Sequence, residues 1–172
     1  LNALYRNLGG WKFQDITVEA GVACAGLTST AAAFADLDGD GDLDLVVNTV
    51  GHGTHVFLND GRGRFKELVV LNGAKGGTSL ALGDLEGDGF LDLYVANYRT
   101  LALMDMPNTL FNFTTLAGRR VLSRVNGRPV TEPDLVNRYR LNARGGIEEN
   151  GEADEVFHNA GGRAFTPLSF TG

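Results

Sequence analysis

The chain of 172 residues has one cysteine, four prolines, one tryptophan and three histidines. The lone Cys24 excludes an internal disulfide framework and a four-thiolate zinc site. No stretch approaches the roughly 18 uninterrupted apolar residues that a membrane-spanning helix needs, which excludes that class. Positive charge is also scarce: 15 Lys and Arg stand against 21 Asp and Glu, a formal charge of −6. A nucleic-acid-binding face would need the opposite balance. No basic-then-apolar leader precedes Leu1, so any targeting segment is expected to lie outside this sequence.

Glycine, by contrast, is abundant, at 24 of 172 residues and without a collagen period. So much glycine with so little proline is expected to be spent on tight turns, and many tight turns imply many short strands. The 43% of apolar residues supports a packed core, and the length suits one globular domain rather than two.

Self-similarity organises the rest. Thr30–Val47 (TAAAFADLDGDGDLDLVV) and Thr78–Val95 (TSLALGDLEGDGFLDLYV) superpose without a gap at an offset of 48 residues. A second motif, N-x-G-x-x-x-F, runs from Asn7 to Phe13, from Asn59 to Phe65 and from Asn159 to Phe165, each time after a short apolar run. Alternating motifs with a period near 50 and several strands per period predict a propeller-like array of small sheets. The expected fold class is all-β, with β-propeller-type blades numbering about two and a half four-stranded units.

The expected organisation is a terminal hairpin of a preceding blade in 1–20, a first full blade in 28–72, and a second in 76–97 plus 153–170, interrupted by an insertion in 98–152. Strands are expected at 30–35, 43–48, 54–59 and 64–70 in the first blade, and at 79–83, 91–96, 155–158 and 163–168 in the second. Asn59-Asp60-Gly61 reads as a hairpin turn. The insertion also reads as mostly β, with turns at Asn126-Gly127 and at Arg144-Gly145-Gly146, and 100–106 is its best helical candidate, ended by Pro107. Closed propellers use typically four to eight blades. The open blade edges are therefore expected to meet the rest of a longer chain or other copies of this one, including as a filament.

The chemistry lies in Asp36-Leu-Asp38-Gly-Asp40-Gly-Asp42-Leu-Asp44 and Asp84-Leu-Glu86-Gly-Asp88-Gly-Phe90-Leu-Asp92. Acids at positions 1, 3, 5 and 9, with glycine at 6, let a tight loop direct several oxygens at one point. At ~4 Å and an effective dielectric of about 20, each pair of like charges repels by roughly 4 kcal/mol. A hard dication accepting six to eight oxygens relieves this, so two Ca²⁺ sites are expected, completed by the carbonyls of Asp42 and Phe90 and by water. Magnesium, which keeps its water, is disfavoured. Neither loop is an EF-hand, because position 12 is Val47 or Val95 where a bidentate Glu is needed, and the flanks read as strands. Glu86 is the one departure from aspartate at an acidic position of the second loop, and its extra methylene is expected to rearrange that site.

These loops, followed by VFLNDGRGRF and VFHNAGGRAF, resemble the FG-GAP / VCBS repeats of integrin-α-type β-propellers. The opening LYRNLGGWKFQDIT…AGV and the segment YVANYRT are similar to secreted bacterial proteins of the cartilage-acidic-protein type. The resemblance implies an extracellular or cell-envelope location, calcium between the first two strands of each blade, and an adhesive or structural rather than catalytic role. It implies ligands at Asp36, Asp38, Asp40 and Asp44, and at Asp84, Glu86, Asp88 and Asp92.

Other candidates carry less. His52 and His55 read as a solvent-facing turn, Cys24 as a small buried hydrophobe, and Gly73–Thr78 as a connection between blades. Glu148, Glu149, Glu152 and Asp154 read as a solvated acidic loop, and Phe13, Phe65 and Phe165 as packing residues. Asn112-Phe113-Thr114 is the only N-x-[ST] sequon, relevant where the producing cell glycosylates. No catalytic constellation is present, so no enzyme is expected. The alternatives to a structural or adhesive module are a carbohydrate-binding module using Trp11, Tyr98 or Tyr139, and a non-catalytic fragment of a larger secreted protein.

Overall fold

The computed structural model describes residues 2–168, so Leu1 and the end of the expected second blade, 169–170, lie outside the described residues. Two compact units are present, Leu1–Thr100 with Ala153–Gly172, and Leu101–Glu152.

In the first unit a short antiparallel pair, β1 (Tyr5–Asn7) and β2 (Phe13–Asp15), leads into one helical turn, α1 (Thr17–Ala20). Asp15 Oδ1 accepts both the N–H and the hydroxyl of Thr17, and Gly21, at φ 83°, ends the turn in the left-handed region. The first four-stranded sheet follows in the order β3 (Ser29–Ala35), β4 (Asp44–Thr49), β5 (Gly53–Asn59) and β6 (Phe65–Leu71). The second begins with β7 (Gly77–Gly83) and β8 (Asp92–Asn97) and is completed after the insertion.

Strand alternation sends successive side chains of β4 to opposite faces. Val46 joins Val56, Leu37, Leu93, Val95, Phe157 and Phe165 in a core between the two sheets. Leu45 and Val47 join Phe57, Ile16, Ala20 and Val22 on the other face, so the segment around α1 covers that side. With both faces covered, β4 is buried throughout, which explains its β-branched run. In the second sheet Leu93 and Val95 turn inward, while Tyr94 on the opposite face stays 39% exposed.

The insertion forms the second unit: β9 (Phe111–Leu116), β10 (Arg119–Val125) and β11 (Arg128–Pro129) make one sheet, and β12 (Tyr139–Leu141) with β13 (Ile147–Glu149) a hairpin. Its core is Val125, Leu135 and Tyr139. Asn126 and Gly127, at φ 51° and 79°, form the expected turn between β10 and β11. The helical candidate reduces to a single 3-10 turn at Leu103–Asp105. β14 (Glu155–Asn159) and β15 (Phe165–Pro167) then complete the second blade sheet in the order β15-β14-β8-β7.

Several expectations are corrected. The loop after Asn59 is longer than a two-residue hairpin: the Asp60 N–H donates to the Arg64 carbonyl and Asp60 Oδ1 accepts from Arg62 and Arg64, with Gly61 and Gly63 at positive φ. Phe165 is buried, but Phe13 is 55% exposed. Tyr139 is not an exposed aromatic platform; it is buried edge-on against Phe111, with ring centroids 5.3 Å apart. His55 lies within β5 rather than in a turn, its Nδ1 2.6 Å from Glu67 and its ring stacked on Phe57. The acidic run is not simply solvated: Glu148 pairs with Arg140, Glu149 with Arg138, and Asp154 accepts from the Tyr94 hydroxyl and the Asn97 N–H.

Candidate functional site

The loop from β3 to β4 is shaped by its own carboxylates. Asp36 accepts the Gly39 N–H at 2.8 Å on one oxygen and the Gly41 N–H at 3.0 Å on the other. Asp38 accepts from Asp40 at 3.3 Å, and Asp40 from Asp42 at 2.9 Å. Such side-chain-to-backbone bonds favour turns over strand, and Gly39 and Gly41 supply the positive φ values, 78° and 92°, that tighten the curl. One oxygen from each of Asp36, Asp38 and Asp40 falls within 4.8 Å of the others.

Asp44 does not join this cluster. It is 1% exposed, and its two oxygens accept the N–H groups of Leu37 (2.9 Å) and Asn59 (2.8 Å). Burial pushes its carboxyl above the ordinary range, opposed by those two N–H groups and reinforced by the charges of Asp38 and Asp40. Asp44 thus ties the start of the loop to the end of β5. Asp42 turns toward the β5–β6 loop, where a Cβ on Gly61 would lie 2.5 Å from its Oδ2.

The loop from β7 to β8 repeats the plan. Asp84 accepts from Gly87 (2.7 Å), Asp88 (3.1 Å) and Gly89 (2.9 Å), which hold its carboxyl below the usual range, Gly89 foremost. Asp92, the counterpart of Asp44, is 3% exposed and accepts from Leu85 and Asn159, each at 2.9 Å. Burial is the strongest single influence on Asp92 and would raise it, but the Asn159 and Leu85 N–H groups and the His158 ring together hold it low. The cluster formed here is Glu86, Asp88 and His158, again with one ligand atom each within 4.8 Å. Asp84 and Asp92 stand outside it. The Phe90 side chain packs between turns, its ring 3.3 Å from where a Cβ on Gly39 would be and 3.7 Å from one on Gly161.

The two loops are joined through Asn159. Its side-chain amide donates to the carbonyls of Leu37 (2.8 Å) and Leu91 (3.2 Å), and its oxygen accepts the Gly162 N–H at 2.7 Å. Gly162 sits so close to the first loop that a Cβ would fall 2.1 Å from Asp38 Cβ. Asn59 makes the corresponding bonds within its own blade, to Leu43 and from Gly63. A cavity of about 700 Å³ opens beside Asp38, Leu58, Phe90 and Arg163.

The sequence pattern did not single out His158. Its signal is the pair VFLN and VFHN: His158 holds the position of Leu58, one residue before the motif asparagine, on a strand whose end faces the aspartate loop. Chemically, the first cluster is made of oxygen donors alone, the type calcium takes, so its residues fit that ion; the second adds a nitrogen. Among the described residues no helix is long and apolar enough to cross a membrane.

The FG-GAP-like repeat family model matches residues 2–47 and, overlapping, 36–95, so that each match includes an aspartate loop. No curated protein matches the chain.

Proposed function

The chain belongs to the FG-GAP-like repeat family, and on that premise we propose that it is a calcium-binding, β-propeller-type repeat module with a structural or adhesive role outside the cell. The family is typically non-catalytic. The observation that carries the proposal is the convergence of Asp36, Asp38 and Asp40 on a loop whose backbone is already folded around them. Three anions so placed repel one another, and a dication at their centre turns that repulsion into attraction. Calcium there is held by Asp36, Asp38 and Asp40 with the Asp42 carbonyl and water. Asp44 supports the loop from beneath instead of reaching the ion. The corner at Glu86 and Asp88 is a second cation site.

Calcium is then part of the fold. At free calcium a hundred times the dissociation constant, one site stabilises the folded state by about 2.7 kcal/mol. For a chain of this size that is a rise in Tm of about 5–11 °C. Thermal melts with a chelator, with Ca²⁺ and with Mg²⁺ test this. The expected order of Tm is Ca²⁺ above Mg²⁺ above chelator, with the calcium increment reduced in Asp38→Asn/Asp40→Asn. Equal Tm values in chelator and calcium would reject the proposal.

A further inference from the structure

The two corners are built on one plan yet hold different donors. On β14, His158 pairs with Thr166; on β5, Leu58 pairs with Lys66 at the same step before the motif asparagine. The second blade therefore places an imidazole where the first has an aliphatic side chain. The ring is drawn into the corner: Nδ1 lies 3.1 Å from Glu86 Oε2 and 3.2 Å from Asp92 Oδ1, and the side chain is 24% exposed. Glu86, one methylene longer than Asp38 at the corresponding position, supplies the reach that brings its carboxylate to the ring. Asp92 is fixed by two backbone N–H groups and so orients the imidazole from the buried side.

We propose that Glu86, Asp88 and His158 form a mixed nitrogen–oxygen site for a divalent d-block cation, with zinc as the reference ion, in the corner where the first blade takes calcium. This rests on the reading that both corners are cation sites, and it names the class of ion for the second. Calcium accepts oxygen ligands and gains little from an imidazole, whereas zinc and its neighbours take imidazole nitrogen and carboxylate oxygen together at about 2.0–2.2 Å. Ligand atoms already within 4.8 Å of one another close on such an ion by small side-chain movements. Glu86 and Asp88 each bring a negative charge to a 2+ ion, with Asp92 beside the ring, and three protein ligands leave a coordination position for water. Without a metal, the same contacts are polar contacts of the His158 ring with Glu86 and Asp92 alone, and the experiment separates these two readings.

The test is titration of the intact, metal-stripped chain with Co²⁺, a spectroscopic substitute for zinc. One equivalent is expected to bind with visible d–d bands characteristic of nitrogen and oxygen ligation, and Zn²⁺ is expected to abolish them. His158→Leu, which installs the residue of the first blade, and Glu86→Gln, which removes a partly exposed carboxylate, are each expected to weaken binding at least about tenfold, while circular dichroism and the calcium-dependent rise in Tm persist. The absence of Co²⁺ binding, or its retention in both variants, would overturn the site and leave a ring held by polar contacts alone. Normal Co²⁺ binding in a chain whose Tm ignores calcium would instead count against the calcium reading of the first corner.

Discussion

Gly162→Ala probes the coupling between blade packing and the first aspartate loop. Gly162 has φ 70°, and a Cβ there would lie 2.1 Å from Asp38 Cβ and 2.3 Å from Asp38 Cα. Two effects add: an L side chain at positive φ costs about 1–2 kcal/mol, and relieving overlap with backbone that cannot rotate away costs about 1–3 kcal/mol more. Gly161→Ala separates them, because its φ is 67° but its nearest neighbour would be the Phe90 ring at 3.7 Å, an ordinary contact. Thermal melts of both variants, each in chelator and in calcium, are the assay. Gly161→Ala is expected to lower Tm by the backbone effect alone. Gly162→Ala is expected to fall a further ~2–12 °C and, because Asp38 is displaced, to require more calcium for half-maximal stabilisation. Indistinguishable melts, or an unchanged calcium midpoint in Gly162→Ala, would refute the claim that the second blade's turn holds the first blade's loop in place.

Asn159→Ala strands the Leu37 carbonyl and the Gly162 N–H in a buried setting and the Leu91 carbonyl in a partly buried one, so chemical denaturation should show a loss of about 2–4 kcal/mol, against about 1 kcal/mol for the less buried Asn59→Ala. The Tyr94 hydroxyl, foremost, and the Asn97 N–H hold the Asp154 carboxyl below its unfolded value. Its contribution is therefore complete above the unfolded pKa of about 3.9 and is lost as pH falls through the lowered folded value. Denaturation of Asp154→Asn should differ from the parent at pH 7 by no more than about 1 kcal/mol, and the difference should vanish in acid; a difference that grows in acid would contradict the assignment.

The repeat itself made the blades legible. With two copies in register, β3 and β4 could be aligned on β7 and β8, and the β-branched run in β4 reads as a strand. The turn at Asn126-Gly127 was legible because few residue pairs tolerate its φ values. What escaped the sequence depends on contacts between distant segments. The helical turn Thr17–Ala20 is too short to show a period, and it is set by the Asp15–Thr17 bonds. Spacing and the family resemblance both place Asp44 and Asp92 with the ligands, because position 9 of the loop looks equivalent to positions 1, 3 and 5. What the sequence does not show is that each is buried and accepts two backbone N–H groups from elsewhere in the chain. Tyr139 looked like a surface aromatic because nothing nearby in sequence reveals that Phe111 covers it. His158 belongs to a strand 66 residues beyond Asp92, across the insertion, and only the fold carries its ring to Glu86.

The central claim is that Asp36, Asp38 and Asp40 share one calcium ion. Crystals grown in millimolar calcium, measured at a wavelength where calcium scatters anomalously, test it most directly. The account predicts an anomalous peak about 2.3–2.6 Å from an oxygen of each of the three carboxylates, with Asp44 still bonded to the Leu37 and Asn59 N–H groups. Three carboxylates turned apart with no peak between them would contradict it.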